Sequence, residues 1–382
     1  MMRAPSKIPV ETRLAASGSS TAPAKITTAI SAKHLASFRR TLLRWYDRHR
    51  RDLPWRATRD PYRIWLSEIM LQQTRVAAVL DHYRRFLDRF PDVQTLAAAS
   101  EDDVLAAWSG LGYYRRARML HRCAQQIAEQ HGGCFPRSSE ALLALPGIGR
   151  YTAAAIASIA FAEPVAVVDG NVERVLQRLT GINLTTPQTW QHAQARLANS
   201  RPGDFNQAMM ELGATVCVPG QPRCATCPVQ KWCVTQGEAP RPVSMENMPP
   251  ARRRKQQIWC ALEWRGGNGI KKGRVRLVQR PKKASLMAGM WELPQSSDPP
   301  RPLPDSAHWR TFRHSITITN YTVHVLRNTQ LRNTQLRNMP LRNMPLPGVR
   351  PAAKGKWIAI DRIPQIPLTG LTRKILKAGG II

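Results

Sequence analysis

Two acidic side chains have sequence surroundings that suit acid catalysis and charge stabilisation. Glu68 lies in WLSEIMLQQTRV, on a predicted helix with apolar neighbours on most sides, and Asp169 lies in AVVDGNVERV. A carboxyl group in apolar surroundings has a raised pKa and donates a proton near neutral pH, whereas a better solvated carboxylate stays ionised and stabilises a sugar cation. Such a pair suits cleavage of a glycosidic bond. The alternatives are a salt-bridged or surface helix residue for Glu68, and the N-cap of the helix that begins at Asn171 for Asp169.

A glycine-containing turn lies between these carboxylates and opens an alanine-rich helix. The segment from Leu145 to Asn171 reads LPGIGRYTAAAIASIAFAEPVAVVDGN, with Gly147 and Gly149 in the turn. Glycine adopts φ > 0 and has no Cβ to obstruct an approaching group. The N–H groups that begin the next helix would face an anion, with the helix dipole behind them. We expect a duplex phosphate there; an ordinary Pro-Gly turn between two helices is the alternative.

Four of the seven cysteines form a short cluster with the spacing C-x6-C-x2-C-x5-C. The four are Cys217, Cys224, Cys227 and Cys233. Thiolates alone ligate both iron–sulfur clusters and zinc, so the spacing predicts a metal-binding loop and leaves both metals open. Structural zinc sites more often pair two C-x2-C units, and this loop has one. The odd number of cysteines counts against a secreted disulfide framework and favours a reducing compartment.

The predicted helical region carries its positive charge as arginine. No lysine occurs between Lys33 and Lys231. The region therefore has no amine side chain that could form a Schiff base with a sugar aldehyde. Arginine suits contacts to phosphate. If the chain removes a base from a nucleic acid, we expect hydrolysis by water and no strand cleavage.

The whole chain is strongly basic. Its 382 residues carry a formal net charge of +32, with 30 Lys and Arg against 19 Asp and Glu in residues 1–240 and 27 against 6 in residues 241–382. This charge exceeds what solubility requires and indicates a polyanionic partner. No apolar run approaches the length of a membrane span. Residues 1–33 lack the apolar core of a signal peptide; we interpret them as a disordered basic tail, with an organellar transit peptide as the alternative.

The hydrophobic period divides the chain in two. Apolar residues at three- and four-residue spacing predict helices near 36–49, 64–90, 102–108, 114–131, 139–144, 151–161, 171–180, 188–198 and 204–214. Later segments rich in β-branched and aromatic residues predict a small mixed sheet, with strands at 258–264, 274–280, 314–326 and 356–360. We divide the chain into a disordered basic tail (1–35), a helical domain (36–216), the cysteine loop (217–233), a linker (234–256) and an α/β domain (257–382). The tandem pentads at 326–345 are too short for a solenoid, and we interpret them as a low-complexity loop, with a nucleic-acid contact as the alternative.

Several motifs occur in the order and spacing of a known family. LPGIGRYTAAAIASIA resembles the helix-hairpin-helix of the endonuclease III superfamily of DNA glycosylases. VVDGNVERV resembles the aspartate segment of that superfamily, and the cysteine loop resembles its 4Fe–4S loop. LPWR at 53–56, WLSEIMLQQTRV at 65–76 and GLGYYRRARML at 110–120 resemble the MutY-type branch, which removes adenine mispaired with 8-oxoguanine. The likeness covers about 36–233 and continues more loosely through 286–295. It implies a mainly α helix-hairpin-helix glycosylase domain with an iron–sulfur loop, and a smaller α/β Nudix-like C-terminal domain.

The resemblance implies a role for each matching residue. Glu68 would protonate the adenine ring and then help to activate water, and Asp169 would stabilise the oxocarbenium-like sugar. Tyr151 would assist Asp169, at the position where lyase-active relatives have a lysine, and Asn171 completes the family's Asp-Gly-Asn. The other matching positions form the adenine pocket (Trp55, Arg56, Leu71 and Glu211), the wedge that enters the duplex (Gln73 and Tyr113) and the phosphate-binding turn (Gly147 and Gly149). Plain core packing is the alternative for Trp55, Leu71 and Tyr113.

The C-terminal domain departs from the family pattern. It lacks the glutamate signature of Nudix hydrolases, so we expect no nucleotide hydrolysis. FRHSITITNY at 312–321 aligns with a strand whose Phe-Ser-His reads 8-oxoguanine, but Ile316, Thr317 and Ile318 occupy those positions. Thr317 is the residue there that retains a hydrogen-bonding group, and His314 lies nearby. The strength of the preference for 8-oxoguanine over guanine stays open.

The resemblance therefore predicts a monomeric, monofunctional adenine DNA glycosylase of base excision repair. Its partner would be double-stranded DNA with adenine opposite 8-oxoguanine or guanine, and its cofactor a 4Fe–4S cluster. We expect it in the cytoplasm with the nucleoid if bacterial, and in the nucleus or mitochondrion if eukaryotic. The alternatives are an endonuclease III-like glycosylase/lyase for oxidised pyrimidines and a non-catalytic lesion-binding protein.

Overall fold

The computed structural model describes residues 31–236, 254–267, 269–299, 308–316, 318–327 and 355–382. Four features predicted from the sequence lie wholly or largely outside these ranges. They are Thr317, the tail through residue 30, the linker between 237 and 253, and the pentad repeat beyond Arg327.

The described residues before the cysteine loop are helical. Their α-helices are α1 (Ala32–His49), α2 (Pro61–Leu71), α3 (Val76–Arg89), α4 (Val93–Ala98), α5 (Glu101–Trp108), α6 (Arg115–His131), α7 (Ser139–Leu143), α8 (Arg150–Phe161), α9 (Gly170–Thr180), α10 (Thr186–Arg196) and α11 (Pro202–Thr215). The prediction that this part of the chain is mainly helical is thus confirmed. Across the described part of the chain, no helix is both long and apolar enough to cross a membrane.

One predicted helix is wrong in its extent. The segment 64–90 is two helices, α2 and α3, with a break at 72–75. Gln73 adopts φ 55° in this break, which is the left-handed region. A helix cannot continue through a residue in that conformation, and the apolar period on both sides concealed the break.

Helix α8 lies at the centre of the helical part and packs against both α2 and α11. Ala153, Ala155 and Ala157 of this helix are fully buried. Small side chains let neighbouring helices approach closely, and this brings the first turn of α8 beside the middle of α2 and the middle of α11. Two apolar cores flank it, one around Trp65 and Trp108 and the other around Phe38, Tyr46 and Phe205.

The described C-terminal part contains two small sheets, a short 3-10 helix (Ile360–Gln365) and one α-helix. Its elements are β1 (Arg254–Leu262), β2 (Trp264–Gly267), β3 (Gly269–Gln279), β4 (Trp291–Glu292), β5 (Gln295–Ser296), β6 (His308–Ile316), β7 (Thr319–Arg327), β8 (Lys356–Ala359) and α12 (Gly370–Ala378). One sheet has the order β5-β1-β7-β6, with β1 and β7 parallel; the other has the order β2-β3-β4, with β8 also paired to β3. The predicted mixed sheet is confirmed, but the predicted strand 314–326 is instead an antiparallel pair, β6 and β7.

The two parts contact each other directly. The carbonyl oxygen of Leu368 accepts hydrogen bonds from Ser109 Oγ and Tyr114 OH, both at 3.0 Å. Met290 is buried within a core cluster of the helical part. Because Tyr114 and Ser109 belong to the loop between α5 and α6, the C-terminal part contacts that loop on one side.

Candidate active site

Glu68 lies on α2 and is almost completely buried. Asp60 caps this helix by accepting a hydrogen bond from Tyr62 N at 2.9 Å, and Pro61 occupies its first turn. The Glu68 side chain is 7% exposed, and its Oε2 accepts a hydrogen bond from Tyr151 OH at 2.7 Å. The surface-residue alternative is therefore wrong for Glu68.

The surroundings of Glu68 raise the pKa of its carboxyl group to about 7. Burial is the main cause, because the ionised form loses its hydration, and the negative charge of Asp169 acts in the same direction. The Tyr151 hydrogen bond and the positive charge of Arg56 oppose the rise. At neutral pH a large fraction of Glu68 thus holds a proton that it can donate.

Asp169 is the N-cap of α9, as one alternative predicted. Its Oδ1 accepts a hydrogen bond from Val172 N at 2.7 Å, and its Oδ2 accepts one from Asn171 Nδ2 at 2.8 Å. Both bonds fix the orientation of the carboxyl group at the N-terminus of α9. The cap holds Asp169 in place near Glu68, so the structural and chemical interpretations of Asp169 are compatible.

Tyr151 connects the acid to a second helix. It stands in the first turn of α8, and its hydroxyl also lies 3.4 Å from Met210 Sδ on α11. Burial, followed by the charges of Glu68 and Asp169, holds the pKa of Tyr151 well above its usual value. Tyr151 therefore stays protonated and acts as a hydrogen-bond donor to Glu68.

A hydrogen-bonded chain runs from Asp169 to the cysteine loop. Asn171 Oδ1 accepts from Arg174 Nη2 at 2.9 Å, and Arg174 Nε donates to the carbonyl of Cys217 at 2.9 Å. One turn later, Arg178 Nη1 donates to Cys217 Sγ at 3.3 Å. The sequence singled out neither arginine; their i, i+4 spacing on the helix that follows Asp169 is the signal that could have found them.

The four cysteines line a single pocket, together with Arg178. All four are free thiols, and Arg178, which is 4% exposed, has a buried Nε without a hydrogen-bond partner. A thiolate donor set beside a buried guanidinium fits an anionic iron–sulfur cluster. Within the described ranges, no three or more His, Cys, Asp or Glu side chains are arranged to hold a single metal ion.

Glu211 forms a second buried site with two arginines. It is 0% exposed, and its carboxylate accepts hydrogen bonds from Arg51 and Arg56, each at 2.7 Å. Burial alone would raise its pKa, but the two guanidinium groups outweigh burial and hold the pKa at about 2. Arg51, two residues before the LPWR motif, was missed because its partner lies 160 residues away.

Trp55 and Leu71 pack against the apolar core beside these carboxylates. Trp55 is 6% exposed, with its ring edge-on to Tyr83 at 5.2 Å, so it packs into this core, and its place in an adenine pocket stays a prediction. Leu71 is half-buried at the end of α2. The core-packing alternative fails for Tyr113, which is 54% exposed.

Gln73 and Tyr113 share an unusual backbone conformation. Gln73 has φ 55° and Tyr113 has φ 48°. The left-handed conformation costs a non-glycine residue about 1–3 kcal/mol, and such strain persists only where surrounding structure imposes it. Neither residue type predicts this strain.

A cleft of about 870 Å³ lies between the helical and C-terminal parts. The structure brings Gln73, Tyr113 and Gly147 together in its wall, with Met287, His314, Ser315 and Ile316 from the C-terminal part. Glu68, Tyr151 and Asp169 are not among the residues that line this cleft. Glu68 is bonded to Tyr151, and Asp169 lies partly buried at the start of α9. Ile318, at the third of the altered positions, is 54% exposed.

The turn before α8 is exposed at both glycines. Gly147 has φ 76°, and a Cβ there would lie 2.7 Å from Met119 Cβ. Gly149 is the N-cap of α8 with φ −92°, and a Cβ there would meet nothing within 4 Å. The first-turn N–H groups of α8 have no intrahelical acceptor and are open to an anion.

Comparison with known proteins places this chain in a family. A family model described as HhH-GPD superfamily base excision DNA repair protein matches residues 66–199. The chain is 41% identical over 316 residues to an adenine DNA glycosylase of Mus musculus, which covers 68% of this chain and 60% of that protein. It is 31% identical over 316 residues to an adenine DNA glycosylase of Schizosaccharomyces pombe, which covers 67% of this chain and 68% of that protein.

The helical fold is that of the HhH-GPD superfamily of base excision DNA repair proteins. A solved structure of a thermostable thymine-DNA glycosylase matches 53% of this chain and 97% of its own, with 32% identity and a TM-score of 0.51. Within the superfamily, the chain belongs to the adenine DNA glycosylase family. It spans 60% of the length of the mouse relative.

Proposed function

We propose that this chain is a monofunctional DNA glycosylase that hydrolyses the N-glycosidic bond of adenine mispaired with 8-oxoguanine or guanine. The observation that carries the proposal is the buried Glu68, bonded to Tyr151 and close to Asp169, with its pKa at about 7. A proton donor beside a fixed carboxylate is the arrangement that departure of a neutral base requires.

Glu68 would act first as the general acid. Its proton goes to a ring nitrogen of adenine, and the bond between the base and the sugar breaks with its electron pair moving to the base. The sugar then carries an oxocarbenium-like positive charge, which the Asp169 carboxylate stabilises. The ionised Glu68 accepts a proton from water as the water oxygen bonds to the sugar carbon, and this restores the acid.

The reaction would end at the abasic site. Strand cleavage by related lyases needs an amine that forms a Schiff base with the sugar. The corresponding position here is Tyr151, and the chain has no lysine between Lys33 and Lys231. The hydroxyl of Tyr151 instead holds the Glu68 carboxyl group at 2.7 Å.

Recognition of the base pair would use the remaining residues of the family pattern. Gln73 and Tyr113 would wedge into the duplex beside the lesion, which offsets the cost of flipping the base, about a few kcal/mol. Gly147 and Gly149 would bind a backbone phosphate at the N-terminus of α8. The flipped adenine would enter a pocket formed by Trp55, Arg56, Leu71 and Glu211.

The C-terminal part would contact the base opposite adenine through a Nudix-like fold. His314, Ser315 and Ile316 line the interdomain cleft on that side. We propose that Thr317 supplies a hydrogen bond to the opposite base in place of the missing histidine. As a protein that acts on DNA, the chain would work in the cytoplasm of a bacterium, or in the nucleus or mitochondrion of a eukaryote, as a monomer.

A 4Fe–4S cluster would be held by Cys217, Cys224, Cys227 and Cys233. The shared pocket and the Arg178 contact to Cys217 Sγ support this ligand set. The cluster would cross-link the loop that follows α11 and takes no step in base removal. Purified protein should contain iron and absorb broadly in the visible range; protein that contains zinc and no iron would contradict the proposal.

One assay tests the function against its alternatives. The protein is incubated with a duplex that carries adenine opposite 8-oxoguanine, and strand breaks are measured with and without alkali. Breaks that need alkali support the proposal, breaks without alkali indicate a lyase, and binding without any abasic product indicates a lesion-binding protein.

The role of Glu68 as the acid is tested by Glu68→Gln, which keeps the shape of the side chain but replaces the acidic carboxyl group with an amide that cannot donate a proton to adenine. We expect base removal to fall by at least about 10³-fold while the duplex still binds. Substantial retained activity would overturn the role of Glu68.

A further inference from the structure

Arg116 connects two loops that both line the interdomain cleft. The first is the Gln73 loop, residues 72–75, and the second is the Tyr113 loop, residues 109–114. Each contains a non-glycine residue with positive φ, and α6 begins immediately after the second loop. The backbone strain in both loops requires an external constraint.

The guanidinium group of Arg116 binds the end of α2 and the Gln73 loop. Its Nη1 donates to the carbonyls of Ile69 at 2.7 Å, Met70 at 3.0 Å and Gln72 at 2.6 Å. Its Nη2 donates to Thr74 Oγ1 at 3.1 Å. The last carbonyls of a helix lack intrahelical partners and form the negative end of its dipole, so a cation is well placed there.

The same group contacts the Tyr113 loop. Its central carbon lies 5.4 Å from the centre of the Tyr113 ring and 5.5 Å from that of Trp108. Nη2 also reaches the Gly112 carbonyl at 3.5 Å, and the Arg116 amide donates to the Tyr113 carbonyl at 2.8 Å. One side chain thereby contacts both loops at once.

Arg116 makes these contacts while charged. It is half-buried, and burial lowers its pKa to about 10, so it remains protonated at neutral pH. None of its hydrogen bonds goes to a carboxylate among the described residues; its acceptors are carbonyls and one hydroxyl. Lysine, with its donors on a single nitrogen, cannot reach both loops in this way.

We propose that Arg116 is a positioning residue that holds the Gln73 loop and the Tyr113 loop in their strained conformations before DNA binds. The conformational free energy of ordering both loops is then supplied when the protein folds, so it is not lost on DNA binding and the affinity for the lesion is higher. The link to lesion recognition rests on the proposed function; the link between the loops does not.

The link between the loops is tested by hydrogen exchange in the full chain without DNA. The amides to follow are Thr74, which donates to Leu71, and Leu111, which donates to Trp108. In Arg116→Lys, exchange should become about tenfold faster in both loops. Arg122→Lys, an exposed residue on the same helix, is the matched control and should change neither loop.

Exchange that speeds up in one loop only, or in neither, overturns the proposal. If Arg116→Lys lowers the thermal stability too far for this measurement, Thr74→Val removes a single acceptor. It should accelerate exchange at both loops in the same direction and to a smaller degree. Acceleration at the Gln73 loop alone in that variant also counts against a link.

The effect on recognition is measured with Glu68→Gln as the background, so that the duplex is not consumed. Adding Arg116→Lys should lower the affinity for a duplex with adenine opposite 8-oxoguanine about tenfold. The affinity for an undamaged duplex should be unchanged. An equal loss for both duplexes, or none, overturns the recognition step. If the native chain removes no adenine although the loops loosen together, the proposed function fails and the positioning role stands.

Discussion

At the scale of single residues, two buried glutamates have pKa values displaced in opposite directions. Glu68 has one neutral hydroxyl donor and a nearby negative charge, so burial dominates and its pKa rises to about 7. Glu211 is bonded to two guanidinium groups, which outweigh burial and lower its pKa to about 2. Because both carboxyl groups are buried, the difference in their charged and hydrogen-bonded partners decides which one can serve as an acid and which one stays ionised.

The pH dependence of base removal should follow the protonation of Glu68. Activity that needs the protonated acid declines as the pH rises through about 7. Tyr151→Phe removes a hydrogen bond that lowers the pKa of Glu68, so the alkaline limb should move to higher pH, while the maximal rate falls. Single-turnover rates between pH 5 and 9 measure this. Tyr62→Phe, which removes a buried hydroxyl bonded to Phe90, is the control and should leave the profile in place; a Tyr151→Phe profile that does not move would contradict the assignment.

Loss of the Glu211 carboxylate should destabilise the fold. Glu211→Gln leaves Arg56, whose side chain is 10% exposed, without its ionic partner, at a cost of about 3 kcal/mol near neutral pH. The folded-state pKa is depressed, so this stabilisation is present above about pH 4.5 and is lost as the pH falls toward 2. Urea unfolding at pH 7 and pH 3 should show the difference between native chain and variant shrink at the lower pH. Asp47→Asn, which breaks an exposed pair with Arg201, should cost less than about 1 kcal/mol; equal costs for the two variants would refute the distinction.

At the scale of elements, the functional residues cluster at helix ends. Asp169 caps the start of α9, Gly149 leaves the start of α8 open, and Arg116 caps the end of α2. Helix termini present unpaired N–H and C=O groups with partial charges. The N–H groups hold the Asp169 carboxylate and, at Gly149, are free to bind an anion, while the C=O groups bind the Arg116 cation. The starts of α8 and α9 lie near Glu68, since Tyr151 bonds to Glu68 and the charge of Asp169 acts on it.

The two glycines of the turn before α8 should respond differently to alanine. Gly147→Ala should cost about 1–2 kcal/mol of stability, because φ 76° disfavours a Cβ and that Cβ would lie against Met119. Gly149→Ala should cost less than about 0.5 kcal/mol, since φ −92° suits alanine and the space is open. Both should weaken duplex binding, because the added methyl obstructs a phosphate. Thermal melts together with affinity for undamaged duplex separate the two effects, and unchanged binding by Gly149→Ala would refute a phosphate contact at the turn.

At the scale of the whole molecule, one loop is held from two sides. Tyr114 and Ser109 of the Tyr113 loop bind the Leu368 carbonyl of the C-terminal part, and Arg116 binds the same loop to the end of α2. The interdomain cleft opens beside this loop. The position of the C-terminal part and the position of Tyr113 are therefore mechanically connected.

Breaking the contact at Leu368 should loosen the two parts. The double variant Tyr114→Phe with Ser109→Ala leaves a buried carbonyl without these donors, at a cost of about 1–3 kcal/mol. We expect thermal unfolding to separate into two transitions and proteolysis between the parts to become faster. Either single variant keeps one donor and should show a smaller effect; a double variant that melts like the native chain would show that this contact does not couple the parts.

The sequence alone determined what lies close in the chain. Helices follow from the apolar period, the N-cap role of Asp169 from its neighbours, and the thiol donor set from cysteine spacing, because these depend on a few consecutive residues. The family motifs supplied candidate roles for Glu68 and Tyr151, and the structure brings those two side chains to 2.7 Å.

Only the tertiary structure decided the charge states and the strained loops. The pKa of Glu68 depends on its burial and on partners distant in the chain, Tyr151 and Asp169, and the partners Arg51 and Glu211 are separated by 160 residues. The sequence predicted that arginines of the helical part contact phosphate. In the structure, Arg116 and Arg178 instead bind backbone carbonyls within the protein. Long side chains reach partners that local spacing cannot specify, and burial is a property of the packed chain. For that reason the residue types could be read from the sequence, whereas their protonation and geometry could not.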